Sequence, residues 1–179
     1  MSTDTALVVI DVQVGLIEEA YRCNEVLASI NILLGKARAT GTPVIYIQHD
    51  EPKGHQLEVG SPAWEIHPAI APQEGELIVH KRASDSFHAT SLQRELEAHG
   101  IKQLVVVGGQ TEYCVDTSVR RATTMGYNIT LVGDAHTTDD YDEAVLSAAK
   151  RIEYHNEVLD GFRTDDYVII VKPTSEVTF

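Results

Sequence analysis

Little in this chain is basic, sulfur-bearing or aromatic, and each shortage removes a class of function. Lys and Arg together number 14 against 27 Asp and Glu, a formal charge of -13. A phosphate backbone or an anionic membrane is repelled over most of such a surface, so neither nucleic acid nor membrane is an expected partner. Only two cysteines occur, Cys23 and Cys114. They can build no disulfide framework, and a reducing, cytoplasmic setting with both thiols free is the expectation. No apolar run approaches the ~20 residues that cross a bilayer. The opening "MSTDTALVVI" has no basic segment ahead of its apolar one, so no signal peptide is expected. Tryptophan occurs once, as Trp64. A glycine-rich phosphate turn is also missing: the first apolar run leads into "DVQVGL", which sets aside a nucleotide-binding oxidoreductase.

What remains is a chain of 179 residues, 43% hydrophobic and 23% charged, a composition that suits one domain over 1–179 with a single core. Six short apolar, β-branched runs punctuate it: "ALVVI" (6–10), "VIYI" (44–47), "LIV" (77–79), "LVVV" (104–107), "NITLV" (128–132) and "YVIIV" (167–171). Runs of this kind are buried on both faces of a sheet. Between them lie helical stripes, one through Val26, Leu27, Ile30, Leu33, Leu34 and Ala37, another through Val145, Ala148, Ala149 and Ile152, each repeating at three and four residues. Thr90 and Gln93 have the spacing of a capping box ahead of a further helix. Gly41, Gly100 and Gly126 each end a helical period shortly before a strand, the place where the left-handed cap conformation is wanted. Repeated helix, glycine, strand predicts an α/β fold: a three-layer α/β/α arrangement, Rossmann-like, around a six-stranded, mostly parallel sheet.

The stretch 49–76 interrupts this rhythm with Pro52, Pro62, Pro68 and Pro72 and with Gly54, Gly60 and Gly75. Ordered loops of that length are commonly lids or binding walls. It holds Trp64, which serves either as a buried anchor or as a wall of a site.

In an open parallel sheet, ligands bind beyond the carboxyl ends of the strands. Just past three strand ends stand Asp11, Lys81 and, after "VVVGGQTEY", Cys114. A carboxylate, an ammonium and a thiol thus share one edge. The thiol falls at what reads as a helix start, where backbone N–H groups favour thiolate; Asp11 is the expected base, Lys81 the group that holds it, and the turn amides the oxyanion donors. Taken singly, Cys114 suits core packing, Asp11 a strand-end cap and Lys81 a solvated amine. Their joint placement is what points to nucleophilic catalysis on a carbonyl. Gln13, Trp64, Phe87 and Tyr113 are the expected substrate contacts, although Phe87 and Tyr113 equally suit the core. Cys23 has no acid and base to match and is expected to be incidental.

The segments "ALVVIDVQ", "HKRASDSF" and "GGQTEYCVDTSVRRATTMGY", with "GSPAWEIHP" and "LVGDAHTT", resemble the isochorismatase-like cysteine hydrolases. That superfamily includes nicotinamidase, N-carbamoylsarcosine amidohydrolase, ureidoacrylate amidohydrolase and streptothricin hydrolase. The resemblance covers nearly the whole chain. It implies a triad of Asp11, Lys81 and Cys114, a cis peptide between Gly109 and Gln110, and an oxyanion held by the N–H groups of Gln110 and Cys114. It also implies a homodimer or homotetramer acting on a small-molecule substrate. Nicotinamidases carry a metal-binding Asp-x-His and a second His after the second strand, whereas here the order is "QHDEPKGH", with His49, Asp50 and His55. No metal and no cofactor are therefore expected, and a metal-dependent nicotinamidase becomes the alternative amidase. The presence of Cys114 favours amide or ureido carbonyl chemistry over vinyl-ether hydrolysis. The competing class is a non-catalytic or redox-sensing small-molecule-binding protein on the same fold.

Overall fold

A computed structural model describes residues 4–142 and 144–179. Strand β1 (Thr5–Ile10) runs inside the sheet, with alternate residues buried on both sides: Ala6, Val8 and Ile10 enter one apolar layer, Leu7 and Val9 the other. It is flanked by β2 (Val44–His49) and β4 (Gln103–Gly109), with β3 (Leu77–Lys81) beyond β2 and β5 (Asn128–Thr137) beyond β4. β6 (Arg163–Thr164) and β7 (Tyr167–Lys172) complete a seven-stranded sheet in the order β3-β2-β1-β4-β5-β7-β6.

Every pairing is parallel except the antiparallel β6–β7. The sequence predicts six strands. The seventh is a two-residue edge hairpin, too short to carry any alternation. β5 also runs five residues past the predicted end at Val132, through "GDAHT", because its polar residues there still pair with the end of β4, Gly108 with His136 and Gly109 with Thr137.

The first layer is covered by α3 (Leu92–Ala98), α4 (Asp116–Thr124) and Leu159 of α5 (Ala148–Leu159). The second is covered by α1 (Val14–Ile17) and α2 (Cys23–Thr40), whose Val26, Leu27, Ile30, Leu33, Leu34 and Ala37 are buried as one stripe. The predicted three-layer arrangement stands. α2 closes at Gly41 in the left-handed region, at φ 72°, with its N–H on Ala37 O and Arg38 O.

Two local expectations fail. Val145 lies ahead of α5 and is 99% exposed, since the Ser147 hydroxyl caps the helix at the Lys150 N–H. Thr90 and Gln93 form no reciprocal box: the Thr90 hydroxyl donates to Ser86 O and accepts from Leu92 N–H, while the Gln93 amide donates along the helix to Glu97.

Beyond His49, which ends β2, the stretch to residue 76 is irregular apart from isolated bridges and a 3₁₀ turn at Pro68–Ile70, and it is fastened to the chain just after β1. Val14 N–H meets Glu65 O, Gly15 N–H meets Ala63 O, and His67 N–H meets Val12 O. No helix among the described residues is long and apolar enough to cross a membrane.

Candidate active site

The carboxyl ends of β1, β2 and β3 lie side by side, and parallel register sets which side chains share a face. His49 is paired with Lys81, and Ile10, the residue before Asp11, is paired with both Ile47 and Gly108. Asp11, the last β2 residue His49 and the last β3 residue Lys81 therefore converge above the sheet, with β4 delivering the fourth side. The close approach needs glycine: a Cβ on Gly108, at φ 122°, would lie 2.0 Å from Ile10 O. Asp11 itself sits in the left-handed region at φ 48°. A non-glycine residue there costs ~1–3 kcal/mol, a strain typical of functional positions.

Beyond β4, the Gly109–Gln110 peptide is cis, and Thr111–Val115 forms one π-helical turn before α4. The wider turn brings Cys114 inward, so that it is buried, at 9% exposure, rather than at the open start of the helix.

Lys81 is the hub. Its Nζ lies 2.6 Å from Asp11 Oδ2, with both side chains wholly buried, and it donates to Cys114 Sγ at 3.2 Å and to Ala83 O at 2.9 Å. His49 Nδ1 is 3.2 Å away. An ammonium can only donate, so the nitrogen facing it is the bare one and the ring proton of His49 is on Nε2. One donor atom each of Asp11, His49 and Cys114 lies within 4.8 Å of the others, a set that would suit a soft divalent ion. Here Nζ already stands among all three and supplies the positive charge at that point.

The remaining residues of the predicted alternative metal stretch are turned elsewhere. Asp50 accepts from Trp64 Nε1 at 2.7 Å and faces His80 Nδ1 at 3.0 Å, and His55 is exposed, 3.9 Å from Glu51.

The electrostatics correct one expectation. Burial pushes the Cys114 thiol up to about 12, with the Asp11 charge adding to the rise and Lys81 opposing it. Desolvation and the neighbouring carboxylate favour the thiol over the thiolate, against the pull of Lys81. Burial likewise raises Asp11, against the pull of Lys81 and the thiol. His49 is lowered by burial and then by Lys81, which keeps its ring neutral. A carboxylate in contact with a thiol can in principle exchange a proton with it.

A cleft of about 270 Å³ opens onto these atoms, walled by Asp11, Leu16, His49, Glu51, Leu57, Gln110, Tyr113 and Cys114. Of the four expected substrate contacts, only Tyr113 is in this wall. Gln13 is fully buried and spends its amide on backbone: Nε2 donates to His49 O and Trp64 O, and Oε1 accepts from His49 N–H. Trp64 stacks on His80 at 5.8 Å between ring centroids. Phe87 packs on the core and stacks with Tyr127. Gln13 and Trp64 thus brace the β2 end and its loop from behind. His49, Glu51, Leu16 and Leu57 are cleft residues that the sequence reasoning did not assign. His49 was legible as the residue ending the strand between those that carry Asp11 and Lys81; the others depend on how the loop folds back. A larger cavity, about 390 Å³, lies between α2, β5 and α5, but no member of the Asp11–Lys81–Cys114 cluster touches it.

The isochorismatase domain pattern matches residues 5–162. The chain belongs to the isochorismatase family. It is 34% identical over 166 residues to a secreted isochorismatase effector of Verticillium dahliae, covering 90% of this chain and 86% of that one. It is 35% identical over 142 residues to a streptothricin hydrolase of Streptomyces noursei, covering 78% of this chain but 51% of the relative, so it spans about half the length of that enzyme. Among solved structures, an isochorismatase from Pseudomonas putida superposes with a TM-score of 0.88 at 31% identity, over 97% of this chain and 90% of that one. The isochorismatase-like fold is thus the observed one, and the family is one of hydrolases.

Proposed function

We propose that this family member is a cysteine-dependent amidohydrolase that cleaves a small amide, ureido or related C–N bond through a thioester. One observation carries the reading: a single buried ammonium lies within bonding reach of both a carboxylate and a thiol at the mouth of a cleft. Asp11 takes the Cys114 proton as Sγ attacks the carbonyl carbon, and the new C–S bond places the electron pair on the carbonyl oxygen. Lys81 steadies the carboxylate and the charge building on sulfur. Among the described residues, no backbone carbonyl accepts from the N–H of Gln110, which stands between β4 and the π-helical turn; together with the N–H of Cys114 it is our candidate donor pair for the oxyanion. Collapse breaks the C–N bond, and the proton held by Asp11 goes to the leaving nitrogen. Water then attacks the thioester with Asp11 again as base, and the proton returns to sulfur as the acid departs.

Retention of a protonated, paired thiol in a cleft supports turnover over simple binding. Redox sensing by a Cys23–Cys114 pair is disfavoured, because Cys23 packs against the apolar layer on the opposite face of the sheet from Cys114. The test is ammonia release from a panel of small amides. Cys114→Ala and Asp11→Asn are each expected to lower kcat/KM by roughly 10³-fold or more; undiminished turnover in either variant removes the mechanism.

A further inference from the structure

The charges around the cleft do not balance. Asp11 and Lys81 cancel as a buried pair, and no Lys or Arg lines the cavity among the described residues. What is left is Glu51, two residues beyond His49, whose side chain is 32% exposed. Its Oε2 accepts from Leu57 N–H at 3.2 Å. The nearest basic group is the exposed His55 ring, with Nδ1 3.9 Å from the same oxygen. That bond to Leu57 folds the loop back so that carboxylate and leucine stand together in the cleft wall. A half-buried carboxylate facing a cavity is screened less than one on the open surface, so a substrate charge placed near it is felt strongly. The net charge of -13 adds a field of the same sign.

We propose that the cleft selects an amide whose non-reacting end carries a protonated amine, with Glu51 as the specificity-determining residue. An amide bearing a carboxylate at that end is rejected. This rests on the amidohydrolase reading above and narrows its substrate class. The cavity volume, about 270 Å³, limits the part that enters to a small acyl or leaving group.

Three probes share one reacting end and differ in the other: β-alaninamide is cationic, butyramide neutral and succinamate anionic. Ammonia release is measured for each with the wild-type chain, with Glu51→Gln and with Glu157→Gln, which removes the same charge from the exposed side of α5. The expected order of kcat/KM is cation, neutral, anion, with at least roughly tenfold between the extremes. Glu51→Gln shrinks that span to about twofold, and Glu157→Gln leaves it in place. Equal rates for the three amides, an anion preference, or an unchanged span in Glu51→Gln overturns the proposal.

A second measurement does not depend on turnover. Cys114 is modified with a trimethylammonioethyl and with a sulfonatoethyl methanethiosulfonate, and the product is located by peptide mass mapping. Faster reaction with the cation, reduced by Glu51→Gln alone, supports the charge selection even where no amide is hydrolysed, in which case only the amidohydrolase reading fails. Equal rates with both reagents overturn the charge selection whether or not amides turn over.

Discussion

Cys114 is buried with a carboxylate and an ammonium already beside it, and burial favours its protonated form. The consequence is measurable in the free protein. With the thiol pushed up to about 12 by burial, the thiolate fraction rises about tenfold per pH unit through the neutral and mildly alkaline range. Iodoacetamide labelling of Cys114, followed by mass spectrometry between about pH 7 and pH 10, is therefore expected to climb with that slope and reach no plateau. A plateau near neutrality would show a thiolate stabilised at rest and would remove the need for Asp11 as base.

Asp11, Lys81 and Cys114 were legible because each is a reactive side chain just past a strand end, and strand ends can be read from β-branched runs. The auxiliary contacts were not. Gln13 is next to Asp11 in sequence, yet its amide is consumed by the backbone of His49 and Trp64, a pairing across 36 and 51 positions that no local pattern encodes. Trp64 and Phe87 were candidates on size and polarity alone; Trp64 stacks on His80 and Phe87 on Tyr127, and neither is in the cleft wall.

At the scale of elements, the π-helical turn is fixed by a buried polar chain that joins three of them. The Thr111 hydroxyl meets His136 Nδ1 at 2.9 Å, and His136 Nε2 meets Asn156 Oδ1 at 2.8 Å. Asn156 Nδ2 donates in turn to Gly133 O, which orients the amide so that its oxygen faces the imidazole; Nε2 is then the protonated nitrogen and Nδ1 accepts from Thr111. The turn, β5 and α5 are thereby tied together. Burial lowers His136 to about 4 from 6.5.

The unfolded chain binds this proton at higher pH than the folded one does, so stability is present above about 6.5 and is lost as pH falls toward 4. The loss attributable to this one group is on the order of 2–3 kcal/mol. Thermal melts of the wild type and of His136→Gln across that window are expected to show a steeper acid decline in the wild type; parallel curves would contradict it. The sequence marked the β5 core but stopped it at Val132, because polar "GDAHT" breaks the apolar pattern that signals a strand. Its continuation is held by β4 and by this polar chain, both tertiary effects.

For the whole molecule, the acid excess is the dominant global property. With 27 acidic against 14 Lys and Arg residues, like-charge repulsion opposes the compact state, and added salt screens it. Raising sodium chloride from about 0.02 M to about 0.5 M is expected to raise Tm by a few degrees. An unchanged or lower Tm would show that paired charges such as Arg38 with Glu76, bonded at 2.8 and 2.9 Å, outweigh the general repulsion.

The layered architecture was readable because glycine-terminated helices alternate with buried strands and the crossover rule leaves few arrangements. The shape of the cleft was not, because stretch 49–76 folds by contacts to the segment after β1 instead of by any periodicity of its own.

The ammonium at the middle of the buried cluster has a final implication. A positive charge tethered by a side chain cannot be leached by a chelator, displaced by a competing ion or left vacant when dissolved cations run short. The positive charge that Nζ brings to this centre is set when the chain is synthesised.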